Sequence, residues 1–315
     1  MRKVILDVDT GTDDAVAIMF AALHPEIDLL AVTTVNGNVP LANTTDNTLR
    51  VLDWIGRPEI PVYPGLPRPI VRDGFPGGVH FEPDSPEDPH GSALPLPEPR
   101  TAAQRTGAVE YLLHTLRTAP DPITLVAVGP LSNLAAAVAI DPSLTEAVDE
   151  LVIMGGGHAT ANVTASAEFN IWADPEAAHS VFAAGFPHLT LVTLDATHQA
   201  LITRDACTRL AALATPSGEA AARLITHRID AYETAGTTQA AAPVHDVVCT
   251  AYLVQPTVIT TQAYPVTIET SSPVTVGRTI IDTRPDTPAH PNAQVALKAN
   301  PTTLLDQLLK TFTHT

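Results

Sequence analysis

The chain has 315 residues, 45% of them apolar, and carries 34 acidic against 17 basic side chains for a formal charge of −17. That apolar content excludes global disorder, and the length suits either two small domains or one large α/β domain. So acidic a chain lacks the basic footprint that a phosphate backbone requires, which excludes nucleic acid as an expected partner.

Met1-Arg2-Lys3 runs into a β-branched segment with no signal-peptide pattern, giving a cytoplasmic expectation. The segment predicts a strand at Val4–Val8, followed by a helix at Asp13–Leu23, a strand at Leu29–Val35 and a helix at Leu41–Ile55. Residues 64–100, rich in Pro and Gly, predict a long flexible loop near the site. A helix at Ala102–Leu116 comes next. The uncharged stretch Ile123–Ile140 is long enough for a membrane span, but Gly129-Pro130 divides it into a strand (Ile123–Val128) and a helix (Leu131–Ala139). No membrane association is expected. A strand at Leu151–Met154, a helix at Pro175–Ala184 and a strand at Leu189–Leu194 continue the alternation, and residues 205–233 and His245–Leu253 read as helical. Strand-like runs at Val258–Ile268, Arg278–Thr283 and Gln294–Leu297 precede a closing helix at Thr302–Phe312. The alternation predicts a single α/β domain over residues 1–315, with a mostly parallel, open, Rossmann-like sheet flanked by helices. Cys207 and Cys249 fall in helical segments without CxxC spacing and read as reduced, buried thiols.

Asp7, Asp9, Asp13 and Asp14 crowd the end of the first strand and the start of the first helix, with no Lys or Arg between Lys3 and Arg50. Capping accounts for some of these acids, but uncancelled like charges are destabilising, and a bound divalent cation is the better account. All-oxygen ligands at flexible spacing suit Ca²⁺. No Lys or Arg occurs between Thr118 and Thr203, across three strand ends, so a phosphate-bearing substrate is not expected. Asn36-Gly37-Asn38, Val128-Gly129-Pro130, Asn162 with Glu168-Phe169-Asn170, and His245-Asp246 all fall at the same expected rim. Each alone is a turn or a cap; together they favour a neutral, hydroxyl-rich ligand.

DVDTGTDDAVAI, TLVAVGPLSNLA, NVTASAEFNIWADPEAA and PVHD, in that order, resemble the nucleoside hydrolase family, which includes inosine–uridine-preferring enzymes. The resemblance implies a Ca²⁺-dependent hydrolase of the N-glycosidic bond of ribonucleosides, acting in salvage as a homodimer or homotetramer. It implies that Asp9, Asp14, Asp246 and the Val128 carbonyl bind Ca²⁺, with Asp7 orienting the site behind them. Asp13, Asn38, Asn162, Glu168 and Asn170 would hold the ribose beside Met154 and Phe169. Asp9 would act as general base and His245 as acid toward the departing base. His90, in a loop lacking the family's second Gly, competes with His80 for a nucleobase role, and Tyr232 is a candidate to stack on the base. The segment Thr226–Gln239, which should face the base, offers His227, Arg228, Tyr232 and Gln239, and its lack of a tryptophan disfavours strict purine preference. Two rivals remain: a haloacid dehalogenase-type phosphatase, since Asp7-Val8-Asp9-Thr10 fits DxDxT, and a non-catalytic nucleoside- or ribose-binding protein.

Overall fold

The computed structural model describes residues 1–78, 84–85, 88–236 and 240–313. The first half alternates strands and helices: β1 (Arg2–Val8), α1 (Thr12–Leu23), β2 (Ile27–Thr34), α2 (Leu41–Trp54), β3 (Val62–Pro64), α3 (Ala108–Thr118), β4 (Ile123–Ala127), α4 (Ser132–Ile140), α5 (Leu144–Ala147) and β5 (Val148–Met154). Next come α6 (Phe169–Ala173), α7 (Pro175–Ala183), β6 (Leu189–Val192), α8 (Leu194–Thr197), β7 (Leu201–Thr203), α9 (Arg204–Ala211), α10 (Pro216–Thr234), β8 (Ala241–Pro243) and α11 (His245–Tyr252). The chain closes with β9 (Ile259–Tyr264), β10 (Val266–Ile268), β11 (Thr279–Ile281), β12 (Ala293–Ala299) and α12 (Pro301–Phe312).

Eight strands form one sheet in the order β3-β2-β1-β4-β5-β6-β12-β9. Every pairing is parallel except that of β9 with β12 at the edge. Strands buried on both faces read as apolar runs rather than alternations, as β4 does with ITLVA. One face packs Val4, Leu6 and Val8 of β1 against α1, α2 and α9–α12; the other packs Ile5 against α3, α4 and α7. The chain runs outward from β1 to β2 and β3, then returns to place β4 on the other side of β1. That reversal opens a crevice at the carboxyl ends of β1 and β4, where open α/β sheets bind ligands.

The expected single α/β domain is the observed one. Several boundaries differ. The helix expected at Ala102–Leu116 begins at Ala108, because the Asp53 carboxylate holds the Arg100 and Thr101 amides and Gln104 N bonds to Val62 O. The helical stretch 205–233 is two helices, broken where Ala214 adopts φ +53°. Pro265 separates β9 from β10, and α6, α8, β7 and β8 had no sequence signal strong enough to read. Ile123–Ile140 is the expected strand, turn and helix, and no helix among the described residues is long and apolar enough to cross a membrane. Cys207 and Cys249 are free and buried.

Candidate active site

β1 ends at Val8, so Asp9 emerges at the crevice, and the turn Thr10–Gly11 leads into α1 with Asp13 and Asp14 in its first turn. Asp14 reaches back to accept from Gly11 N (2.9 Å) and Asp9 N (3.2 Å), a carboxylate at the positive end of the helix dipole. The Asn36–Asn38 turn after β2 closes on Asp9 from the other side: Asn38 N donates to Asp9 Oδ2 at 2.7 Å. A Cβ on Gly37 would lie 2.0 Å from that oxygen, so only glycine permits the approach. Asp246 comes from the first turn of α11, next to His245.

Oxygens of Asp13, Asp14 and Asp246 all lie within 4.8 Å of one another, and all three residues are buried. Asp9 Oδ1 is buried without a hydrogen-bond partner among the described residues. Burial pushes the Asp9 and Asp246 carboxyls well up and the Asp14 carboxyl to about 7, and neighbouring aspartates push in the same direction. Asp13 differs: burial raises it, but the Arg228 guanidinium, with His90 and His245, more than offsets this and holds it below the carboxylate range. Arg228 is 1% exposed, donates to Asp13 Oδ1 (2.9 Å) and Thr12 Oγ1 (3.0 Å), and lies 5.8 Å over the Tyr232 ring. One buried guanidinium does not balance four carboxylates. An orphaned oxygen and three converging ones fit a hard divalent cation. The convergent trio includes Asp13, which was expected to hold ribose, and the expected ligand Asp9 lies beside it.

Above these carboxylates is a cleft of about 710 Å³, lined among others by Asp13, Asn38, His90, Val128, Met154 and Asn162. Glu168, Phe169, Asn170, Tyr232, His245 and Asp246 line it too, so the fold gathers twelve of the expected residues around one space; the expected Asp7, Asp9 and Asp14 are not among its lining residues. The Val128 carbonyl follows β4 and already accepts from Asn170 Nδ2 (2.7 Å), which also reaches Met154 O (3.1 Å). Glu168 caps α6 and accepts from the Gly156, Asn170 and Ile171 amides; burial nevertheless raises it to about 7. Asn162 Oδ1 accepts from Phe169 N (3.0 Å). His90 packs onto the Gly11 turn, 3.7 Å from Asp13, and burial lowers it to about 4. His80 and Gln239 lie outside the described residues. Burial also lowers His245 to about 3, so its ring is neutral at pH 7, away from the near-neutral value expected for it.

Asp7 departs from expectation. Its carboxylate accepts from Thr33 Oγ1 and Asn133 Nδ2 and sits among Ile5, Leu112 and Leu134, with no bond to a cleft residue among the described ones. Side chains alternate along a strand, and Asp7 shares the orientation of Ile5. Arg228 was expected in the base-facing segment, but its partnership with Asp13 was not read from sequence; 215 positions separate them. A second cleft, about 560 Å³, opens at the amino ends of the strands, but its Arg2, Glu150 and Tyr252 already bond to one another.

A sequence model of the inosine-uridine preferring nucleoside hydrolases matches residues 4–306. The chain belongs to this family. It is therefore an enzyme that hydrolyses the N-glycosidic bond of ribonucleosides, and the phosphatase and binding-protein rivals fall. Over 284 residues it is 42% identical to the pyrimidine-specific ribonucleoside hydrolase RihB of Escherichia coli strain SE11, covering 89% of this chain and 87% of that one. Its fold is similar to the purine-preferring ribonucleoside hydrolase from Gardnerella vaginalis (TM-score 0.88, 30% identity, 99% and 98% of the two chains). A plant nucleoside hydrolase is similar to the same degree (TM-score 0.87, 30% identity, 100% and 99%). A metal ion suits both the family and the carboxylate cluster of this ribonucleoside hydrolase.

Proposed function

We propose that the enzyme is a Ca²⁺-dependent hydrolase of ribonucleosides, with pyrimidine ribonucleosides preferred. The observation that carries this reading is the buried convergence of Asp13, Asp14 and Asp246, of which Asp13 and Asp246 line the cleft. Asp14, Asp246, Asp9 and the Val128 carbonyl would hold the ion, with Asp13 close enough to join them. When bound, Ca²⁺ supplies Lewis acidity and affinity for a vicinal diol. Asp13, Asn38, Asn162, Glu168 and Asn170 hold the ribose, with Met154 and Phe169 packed beside it. Asp9, raised by burial, takes the proton of the attacking water. The C1′–N bond breaks through an oxocarbenium-like state that the carboxylates and amide oxygens stabilise. His245 serves the departing base, and His90 and Tyr232 flank it. Asp7 anchors the end of β1 to β2 and α4 through Thr33 and Asn133.

The pyrimidine preference is supported by the 42% identity to the pyrimidine-specific relative and by the places of the two tryptophans. Trp54 bonds to Pro216 O, and Trp172 is buried behind Phe169, so neither lines the cleft. Uridine, cytidine, inosine, adenosine and guanosine, each assayed with EDTA and after Ca²⁺ is restored, test the reading. Base release should be fastest from uridine and cytidine, vanish with EDTA and return with Ca²⁺; faster inosine or guanosine cleavage, or EDTA-resistant turnover, overturns it. By family resemblance the enzyme acts in cytoplasmic nucleoside salvage as a homodimer or homotetramer, and light scattering reads the assembly.

A further inference from the structure

His245 is held by a residue that does not line the cleft. Its Nδ1 lies 2.7 Å from the Oγ1 of Thr197, the last residue of α8, and both groups are buried. Thr197 is 0% exposed, and the backbone bonds Thr197 N→Thr193 O (3.0 Å) and His198 N→Leu194 O (2.9 Å) fix its turn. The other acceptor bonded to it among the described residues is the Leu194 carbonyl, 3.5 Å away and already accepting from His198 N. A hydroxyl has one proton to give. At 3.5 Å an O–H···O contact lies beyond the normal range of about 2.5–3.0 Å, whereas 2.7 Å lies within it. The Thr197 proton therefore points at Nδ1.

A neutral imidazole that accepts at Nδ1 carries its own proton on Nε2. Nε2 makes no hydrogen bond among the described residues, and His245 lines the cleft. The neighbouring His198 ring, 5.5 Å away, makes no bond to it. We propose that Thr197 is a positioning residue for the hydrolysis: its hydroxyl fixes His245 in the tautomer whose Nε2–H is presented to the departing nucleobase. This role rests on the assignment of His245 to the leaving-group side. Without the hydroxyl, Nδ1 is unpaired in either tautomer, nothing then favours the proton on Nε2, and part of the enzyme aims a bare nitrogen at the base.

Histidine-selective ¹⁵N NMR of the wild-type enzyme reads the tautomer directly, with His245→Asn assigning the resonance. The proton is expected on Nε2. Thr197→Val keeps the shape and removes the donor; its kcat on uridine should fall about 10- to 1000-fold with little change in KM. A p-nitrophenyl riboside, whose leaving group needs no proton, should be cleaved within about threefold of the wild-type rate, and Thr197→Ser should restore uridine turnover. A proton on Nδ1 in an active wild-type enzyme overturns the proposal, as does equal slowing of both substrates by Thr197→Val or a failed rescue by Thr197→Ser. A wild-type enzyme inactive on every ribonucleoside overturns the functional reading itself, and the NMR result separates the two failures.

Discussion

Asp9 has one oxygen bound to the Asn38 amide and the other buried without a partner among the described residues, the arrangement expected of a group kept for a proton or an ion. Asp9→Ala should lower kcat by about 10²- to 10⁴-fold while circular dichroism and the melting midpoint stay near wild type; near-normal turnover removes Asp9 from the base role. Gly37→Ala acts on the same oxygen indirectly. Its Cβ must displace the Asn36–Asn38 turn, so Ca²⁺ affinity and kcat should both fall in a folded protein, measured by calorimetry and steady-state kinetics. Arg228 shows what a buried pair costs when broken. Arg228→Met leaves Asp13 without its countercharge and should destabilise the metal-free protein by about 3 kcal/mol in urea. Adding Asp13→Asn should recover part of that loss, and a strictly additive double variant would deny the coupling.

At the scale of elements, the α9–α10 junction shows how one residue divides a helical stretch. Ala214 sits in the left-handed region, and Thr215 then caps α10 by accepting from Gly218 N while its hydroxyl donates to Phe312 O of α12. Thr215→Ala removes both contacts and should cost about 1–2 kcal/mol by chemical denaturation, with no change in kcat because the junction is remote from the cleft. The helix starts also carry the chemistry. Asp14 and Glu168 each bind backbone amides at a helix N-terminus; Glu168 lines the cleft and Asp14 belongs to the convergent carboxylates, so a capping carboxylate is also one within reach of a ligand. A cap and a ligand look alike in sequence, which is why the aspartate cluster supported both readings until the amide partners were known.

The molecule as a whole stores unfavourable charge at the crevice, and pH exposes it. Asp14 and Glu168, ordinarily near 4, are held at about 7 by burial, so the folded protein binds more protons than the unfolded one up to that pH. Stability then falls as pH rises through about 7. His24, His90, His198 and His245, all lowered, act the opposite way until the unfolded histidines have lost their protons, near pH 7.5. Above about pH 7.5 the carboxyls act alone. The metal-free protein should therefore lose stability as pH rises above that point, by less than about 1.4 kcal/mol per pH unit for each such carboxyl, and saturating Ca²⁺ should raise the melting midpoint. A flat stability profile, or no thermal shift with Ca²⁺, contradicts this account.

The sheet and its helices were legible because apolar runs and amphipathic stretches encode burial locally, and the aspartates, Glu168, Asn170 and His245-Asp246 were legible because they fall at strand ends and helix starts. Periodicity does not reach across the chain. The late start of α3 depends on Asp53 and Val62, the pairing of Asp13 with Arg228 spans most of the sequence, and Asp7 turns away from the cleft because strand alternation aims it with Ile5. The residue types alone fixed which chemistry is available; which carboxylates converge and which is neutralised were decided by packing, because burial and distance set the energy of a charge and neither is a property of one segment.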